Sequence, residues 1–137
     1  MINSSYTVIK TKKIAETTSF YERYFSFEKT FESDWYVSLK SGANEIAILD
    51  PDHKTIPEKF RGRQSGPETL LNFETDNVDS IYKRFMEDDL KIHLELRDEP
   101  WGQRHFISED PNEIAIDVIK VIPPNKEFID LYMSDSN

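Results

Sequence analysis

Two runs of hydrophobic and polar positions with matching periods divide the chain into similar halves. In the first half, β-branched residues at 6–11 predict a strand, and apolar positions three or four residues apart predict a helix over about 14–25. Short apolar runs at 35–39 and 45–49 predict two further strands, joined by a turn in which Gly42 can adopt positive φ. The first half therefore predicts a strand, a helix and a hairpin.

The second half repeats this order of elements. A strand is expected first, then a helix, then a series of strands that carry most of the β-branched residues of this half. The predicted bounds are a strand at 69–75, a helix over about 78–87, and strands at 91–97, 104–108 and 113–121.

The halves also share sequence. The pentapeptide Asn-Glu-Ile-Ala-Ile occurs at 44–48 and again at 112–116, 68 residues later. The helix residues 20–25 match residues 81–86 at an offset of 61 residues. The same order of matches in both halves indicates an internal repeat, with insertions between its parts.

The repeat predicts the domain organisation. Two modules, at about 6–50 and 69–121, are expected to share one domain over residues 1–122, because each is small for an independent core. Residues 51–68 contain Pro and Gly without a clear period and predict a connector. Residues 123–137 follow a Pro-Pro pair and form a tail in which we expect one short helix.

Charge and composition exclude several classes of function. The formal net charge is −9, and all of it lies in residues 69–137. No basic stripe is present, so a nucleic-acid partner is not expected. No apolar window approaches the roughly 20 residues of a membrane helix, and no signal peptide begins the chain, so a cytoplasmic location is expected. Without cysteine, a disulfide, a thiolate metal site and a cysteine nucleophile are excluded.

Several short motifs resemble those of one superfamily. They are Ser-Phe-Tyr at 19–21, Asp-Asn-Val-Asp at 76–79, Glu-Pro-Trp-Gly-Gln-Arg at 99–104 and Asp-Pro-Asn-Glu-Ile-Ala-Ile-Asp at 110–117. The pattern resembles the vicinal oxygen chelate superfamily, which includes glyoxalase I, extradiol dioxygenases and bleomycin-resistance proteins. It is most similar to the metal-free bleomycin-resistance-like branch.

The resemblance implies a fold and an assembly. It implies an α+β fold of two tandem βαβββ modules that form a cupped mixed sheet with the helices outside. The paired modules would make a cavity, often completed by a second chain, so a homodimer is expected. Two positions depart from the family pattern, since Glu113 replaces the usual Gly of the Asp-Pro-Asn turn and Ser26 replaces the Gly of Leu-Gly-Phe.

The resemblance also locates the positions at which active members hold a divalent metal. These positions carry Tyr6 and Leu70 in the first strands of the modules, and Leu49 and Asp117 in the last strands. Only Asp117 supplies a good oxygen ligand, and one carboxylate does not provide the three or four ligands that such ions need. We therefore expect no metal and no other cofactor.

A rebuilt metal site is the alternative. His93 and Glu95 are predicted on one strand face, His105 on a neighbouring strand, and Asp117 nearby. Together they would make a cluster of His and carboxylate ligands, and the protein would then be a metal-dependent lyase or dioxygenase. The stronger explanation is that His93 and His105 are polar positions on a solvated edge or hydrogen-bonded histidines of the cavity.

Without a metal, the cavity of such a fold is expected to bind a small ligand. The candidate ligand-binding residues are Tyr6, Trp35, His93, Trp101, Phe106 and Asp117. Trp101 is flanked by Pro100 and Gly102, and its indole face suits a planar or cationic group; packing on the rim is its alternative role. The sequence therefore predicts a metal-free protein that sequesters a small aromatic or cationic molecule, and a protein acting through its surface remains a further alternative.

Overall fold

The computed structural model describes residues 1–133 and divides into two compact units. The first unit contains Met1–Thr69 together with Asp110–Ile114, and the second contains Leu70–Glu109 and the described residues from Ala115 onward. Each unit has its own four-stranded mixed sheet, and neither sheet closes into a barrel.

The first unit follows the order strand, helix and three strands. The first strand along the chain pairs in parallel with the fourth, the fourth pairs antiparallel with the third, and the third pairs antiparallel with the second. A short 3₁₀ turn at Glu58–Phe60 follows in the connector. The elements are β1 (Thr7–Lys10), α1 (Ile14–Phe25), β2 (Glu28–Glu32), β3 (Tyr36–Ser41) and β4 (Asn44–Leu49).

The second unit has the same topology, with its parallel pair again between the first and last of its four strands along the chain. The predicted α+β fold of two tandem βαβββ modules is therefore confirmed, with the eight strands divided between two sheets. The elements are β5 (Leu70–Glu74), α2 (Val78–Glu87), β6 (Leu94–Glu99), β7 (Gln103–Glu109), β8 (Ala115–Val121) and the short α3 (Lys126–Ile129).

Each sheet buries one face against its long helix. In the first unit, Ile9, Leu39 and Ile48 are fully buried and α1 packs on β3 and β4. In the second unit, Phe106 contacts the rings of Tyr82 and Phe85 on α2. Because side chains alternate along a strand, every other residue points to the face of the sheet that α2 does not cover, which we call the open face.

One strand, β2, was not among the elements predicted from the sequence, and another, β6, differs clearly from its predicted bounds. All five residues of β2 are exposed, so no buried position gave this strand a hydrophobic period. Strand β6 begins at Leu94 rather than at residue 91, and its pairing with β7 shifts register between Leu94 and Arg97. The shift interrupts the strict alternation of side chains on which the prediction for His93 and Glu95 depended.

A buried hydrogen-bond network holds the segment Asp110–Ile114 in the first unit. Tyr21 donates its hydroxyl proton to Asp110 Oδ2 at 2.8 Å, and Asp110 Oδ1 accepts the backbone N–H groups of Asn112 and Ile114. Burial and the Asp110 charge raise the pKa of Tyr21 well above its ordinary value. Asn112 Oδ1 in turn accepts the hydroxyl of Thr11 at 2.6 Å.

Among residues 1–133, no helix combines the length and the apolar character needed to cross a membrane.

The two departures from the family pattern both lie in the left-handed backbone region. Ser26, at the end of α1, has φ 56°, and Glu113 has φ 64°. This region costs an L residue roughly 1–2 kcal/mol, whereas glycine adopts it without a steric penalty. Both side chains are exposed.

Replacing Ser26 or Glu113 by glycine is expected to stabilise the protein. The gain is up to about 1 kcal/mol at each site, because relief of the left-handed strain exceeds the greater freedom of glycine in the unfolded chain. Urea unfolding measures the change. Ser41→Gly and Glu95→Gly are matched controls that place glycine in strands, and they are expected to lower stability. A loss in Ser26→Gly and Glu113→Gly as large as in the controls would contradict this account.

Candidate functional site

The open face of the second sheet carries a buried cluster of charged side chains. His105 precedes Phe106 in β7 and Asp117 precedes Val118 in β8, so both point away from α2. Strand register places Ile107 opposite Asp117 and Arg97 opposite His105. The cluster is therefore assembled from three neighbouring strands.

His105 is the centre of this cluster. Its Nδ1 lies 2.7 Å from Asp117 Oδ1, and its Nε2 lies 2.8 Å from Glu99 Oε2. Arg97 donates from Nε to the same Glu99 oxygen at 3.0 Å. The side chains of His105, Asp117 and Glu99 are 6%, 11% and 10% exposed, whereas that of Arg97 is 56% exposed. We call His105, Asp117, Glu99 and Arg97 the His105 network.

The charges of the His105 network favour a protonated imidazole. Burial disfavours the imidazolium, but the hydrogen bonds and negative charges of Glu99 and Asp117 outweigh it and raise the pKa of His105 above its ordinary value of 6.5. The hydrogen bond from His105 lowers the pKa of Glu99, against the effect of burial and with help from Arg97. With both ring nitrogens protonated, His105 donates to both carboxylates.

Trp101 lies beside this network in the turn between β6 and β7. Its indole is 38% exposed and meets the His105 ring edge to face, with centroids 6.4 Å apart. Its Nε1 donates to Gln103 Oε1 at 2.8 Å. The hydrogen bond fixes one edge of the indole while part of its surface stays open to a ligand.

The residues at the family's metal positions do not fit a divalent ion. Tyr6 and Leu70 are large exposed side chains, and Leu49 has no ligand atom. Asp117 is a carboxylate, but its Oδ1 is bonded to His105. Active members of the family need several His and Glu ligands at these positions, and this donor set supplies one.

The His105 network does not replace those ligands. The two ring nitrogens of His105 point outward in different directions, each to its own carboxylate. Asp117 and Glu99 therefore flank the ring instead of converging with it on one point. Within residues 1–133, no group of three or more His, Cys, Asp or Glu side chains has the arrangement that could hold a metal ion.

The other residues of the expected rebuilt site lie apart from the His105 network. His93 precedes β6, and its Nε2 pairs with Glu109 Oε1 at 2.6 Å. Glu95 is exposed in β6. The structure brings only His105 and Asp117 into contact, so the four-residue cluster expected from strand alternation is not formed. The register shift in β6 is the reason.

The predicted ligand-binding residues occupy different environments. Phe106 is fully buried against α2, so its expected position on a cavity wall is replaced by a place in the core. Trp35 lies in the first unit just before β3, where it stacks on His53 with centroids 3.7 Å apart. Tyr6, also in the first unit, is exposed just before β1. Trp101 and Asp117 both contact His105.

From the sequence, Glu99 has no assigned role beyond its place in a family motif, and Arg97 has no assigned role at all. Both residues join the site through the register between β6 and β7. Glu99 is the first residue of the motif at 99–104, and this position was the one available signal.

The His105 network makes the stability of the protein depend on pH. Because the pKa of His105 is higher in the folded chain than in the unfolded chain, its contribution is complete below about 6.5 and is lost as the pH rises through the raised pKa. The free energy of unfolding is therefore expected to fall as the pH rises above about 6.5 and through the raised pKa of His105. Urea unfolding at a series of pH values measures this slope.

The variant His105→Gln is expected to remove this contribution to the slope. His93→Gln is the matched control, because the His93 side chain is 52% exposed and its pair with Glu109 is a surface interaction of small energetic effect. An unchanged slope in His105→Gln would show that the imidazole is not held as its charged form.

Solved structures share this fold. A lactoylglutathione lyase from Agrobacterium tumefaciens superposes with a TM-score of 0.70 at 17% identity, covering 87% of this chain and 94% of that one. A glyoxalase/bleomycin resistance protein/dioxygenase family enzyme from Burkholderia phytofirmans PsJN gives a TM-score of 0.74 at 21% identity, covering 86% and 98%. TioX from Micromonospora sp. ML1 gives 0.70 at 15% identity, covering 87% and 100%.

At such identities these likenesses show the fold alone. No curated protein matches the sequence. The family model described as "Glyoxalase/Bleomycin resistance protein/Dioxygenase superfamily" matches residues 4–118, which is most of the chain. The chain therefore belongs to the glyoxalase/bleomycin resistance protein/dioxygenase superfamily.

Proposed function

We propose that this protein binds a small aromatic or cationic molecule on the open face of its second sheet, without a metal ion. The observation that carries the proposal is the pairing of a buried, internally hydrogen-bonded His105 network with a half-exposed Trp101. An apolar surface with a few placed polar groups is the usual composition of a small-molecule site.

The hydrogen bonds of His105 favour binding over catalysis. A general base needs a free lone pair directed at the proton it removes. Both nitrogens of His105 are engaged by carboxylates, and Glu99 Oε2 accepts from both His105 and Arg97. The network is therefore arranged to hold charge in place rather than to transfer a proton to a substrate.

The chemistry of the face suits a cation or a planar ring. The exposed part of the Trp101 indole attracts cations and stacks on planar groups, a contact of roughly 0.5–2 kcal/mol. Glu99 Oε1 and Asp117 Oδ2 enter no hydrogen bond among the described residues, so each can accept an N–H donor from a ligand. The excess of acidic residues in this half adds a favourable field for cations.

The proposal also covers the branch of the family, the location and the assembly of the protein. We place the protein in the metal-free, bleomycin-resistance-like branch, acting as a cytoplasmic homodimer that sequesters its ligand and has no nucleic-acid or membrane partner. The mismatch between the donor set and a divalent ion supports this branch over a lyase or dioxygenase that works through a metal.

The two tryptophans of the chain allow a direct test with ethidium, a planar permanent cation, and with bleomycin. Trp35→Phe leaves Trp101 as the sole tryptophan, and its emission is expected to be quenched on titration. Trp101→Phe leaves Trp35, which stacks on His53 in the first unit, and this emission is expected to stay constant. Fluorescence titration measures both. The neutral tricycle phenanthridinone is expected to bind more weakly than ethidium, because it lacks the charge.

Two fluorescence results would contradict the proposed site. Quenching that persists in Trp101→Phe but is absent in Trp35→Phe would show that the ligand binds near Trp35 and not on the second sheet. If neither ethidium, bleomycin nor phenanthridinone changes the emission of either variant, the binding function is refuted in favour of a protein that acts through its surface.

Addition of zinc or manganese is expected to leave the melting temperature unchanged. A ligand that binds only the folded state raises the melting temperature, and the donor set around Asp117 lacks the ligands for either ion. Thermal unfolding of the metal-stripped protein with each ion measures this. A rise that disappears in Asp117→Asn would establish the metal-dependent alternative.

A further inference from the structure

The chain continues beyond the part that the family model matches. That match ends at residue 118, within β8. The residues Ile122–Tyr132, which we call the strap, follow β8 and include α3. No residue of the strap is fully buried, so its contribution to the hydrophobic core is small.

The strap is tied to one feature of the second unit, the turn Pro100–Gly102. The carbonyl of each of the three turn residues accepts a hydrogen bond from the strap. Asn125 N–H donates to Pro100 at 2.8 Å, the Tyr132 hydroxyl donates to Trp101, and Ile122 N–H donates to Gly102 at 2.9 Å. Both ends of the strap therefore fix the backbone that carries the Trp101 indole.

Gly102 permits this close approach. Its φ of +112° is one that L side chains rarely adopt, and a Cβ at this position would lie 2.8 Å from the carbonyl oxygen of Ile122. Any larger residue would push the strap away from the turn. The glycine of the Trp-Gly-Gln motif thus has a specific role, which is to seat the strap on the Trp101 turn.

The strap also contacts the indole itself. Phe128 meets Trp101 edge to face, with centroids 6.4 Å apart and an interplanar angle of 68°. His105 makes a similar edge contact at 6.4 Å and 74°. Trp101 therefore contacts one ring from the strap and one ring from the His105 network, and these contacts restrict its orientation.

We infer that the strap is a positioning element of the ligand site, and that Phe128 is the positioning residue that holds the Trp101 indole in its binding orientation. The inference rests on the proposed function, since it assigns Trp101 to the ligand. A preformed indole lowers the ordering cost of binding, so loss of the strap contact weakens affinity even when the fold is intact.

The test uses full-length Trp35→Phe protein, in which Trp101 is the only tryptophan. Phe128→Ala is expected to lower the time-resolved fluorescence anisotropy of Trp101 and to weaken ethidium binding about three- to ten-fold. Ile129→Ala is the matched control, because Ile129 is exposed on the same helix and has no ring contact with Trp101. Phe128→Tyr keeps the ring and is expected to restore both values.

Tyr132→Phe is a second variant, which removes only the donor to the Trp101 carbonyl. Tyr132→Phe is also expected to lower both the anisotropy of Trp101 and the affinity for ethidium. It replaces Phe128→Ala in the test if urea unfolding shows that Phe128→Ala is not folded. Affinity and anisotropy equal to those of Ile129→Ala would overturn the inference, as would a mobile indole with unchanged affinity. If the Trp35→Phe parent binds neither ethidium nor bleomycin, the proposed function is wrong. The anisotropy of Trp101 in Phe128→Ala then still shows whether the strap restricts the orientation of the indole.

Discussion

The open face of the second sheet depends on one interaction, the pairing of a buried imidazole with two carboxylates. A buried carboxylate is costly unless it is paired, and His105 pairs with Glu99 and Asp117 at once, while Arg97 closes the charge balance from the exposed side. Removing His105 would leave two negative groups on a largely buried surface. The charged side chains that β6, β7 and β8 place on this face are therefore held in position by the two hydrogen bonds of the His105 imidazole.

The same arrangement differs from the ligand geometry of a metal centre. A metal centre needs ligands that converge on a point, whereas His105 holds its two carboxylates apart. At the family's metal positions, Tyr6 and Leu70 present large exposed side chains. The open face of the second sheet instead carries paired carboxylates and a partly exposed indole, groups that would meet a ligand by hydrogen bonding and stacking under the proposed function.

The Trp101 turn links this surface to the strap. Its three carbonyls, its glycine and its indole all meet residues that follow β8. A short segment outside the region shared with the family thus shapes the residue with the best chemistry for a ligand.

The sequence by itself determined the repeat, the α+β class and the bounds of α1 and α2, because helical periods and shared motifs are recorded within short segments. It also placed Trp101 and Asp117 among the candidate residues. Only the tertiary structure decided that Glu99 and Arg97 join His105, that Phe106 faces α2, and that Phe128 reaches Trp101. Strand β2 could not be predicted from the sequence, because all five of its residues are exposed and show no hydrophobic periodicity. These features depend on the register of strands and on contacts between distant segments, and a shift of one residue in register reverses the face of every side chain that follows.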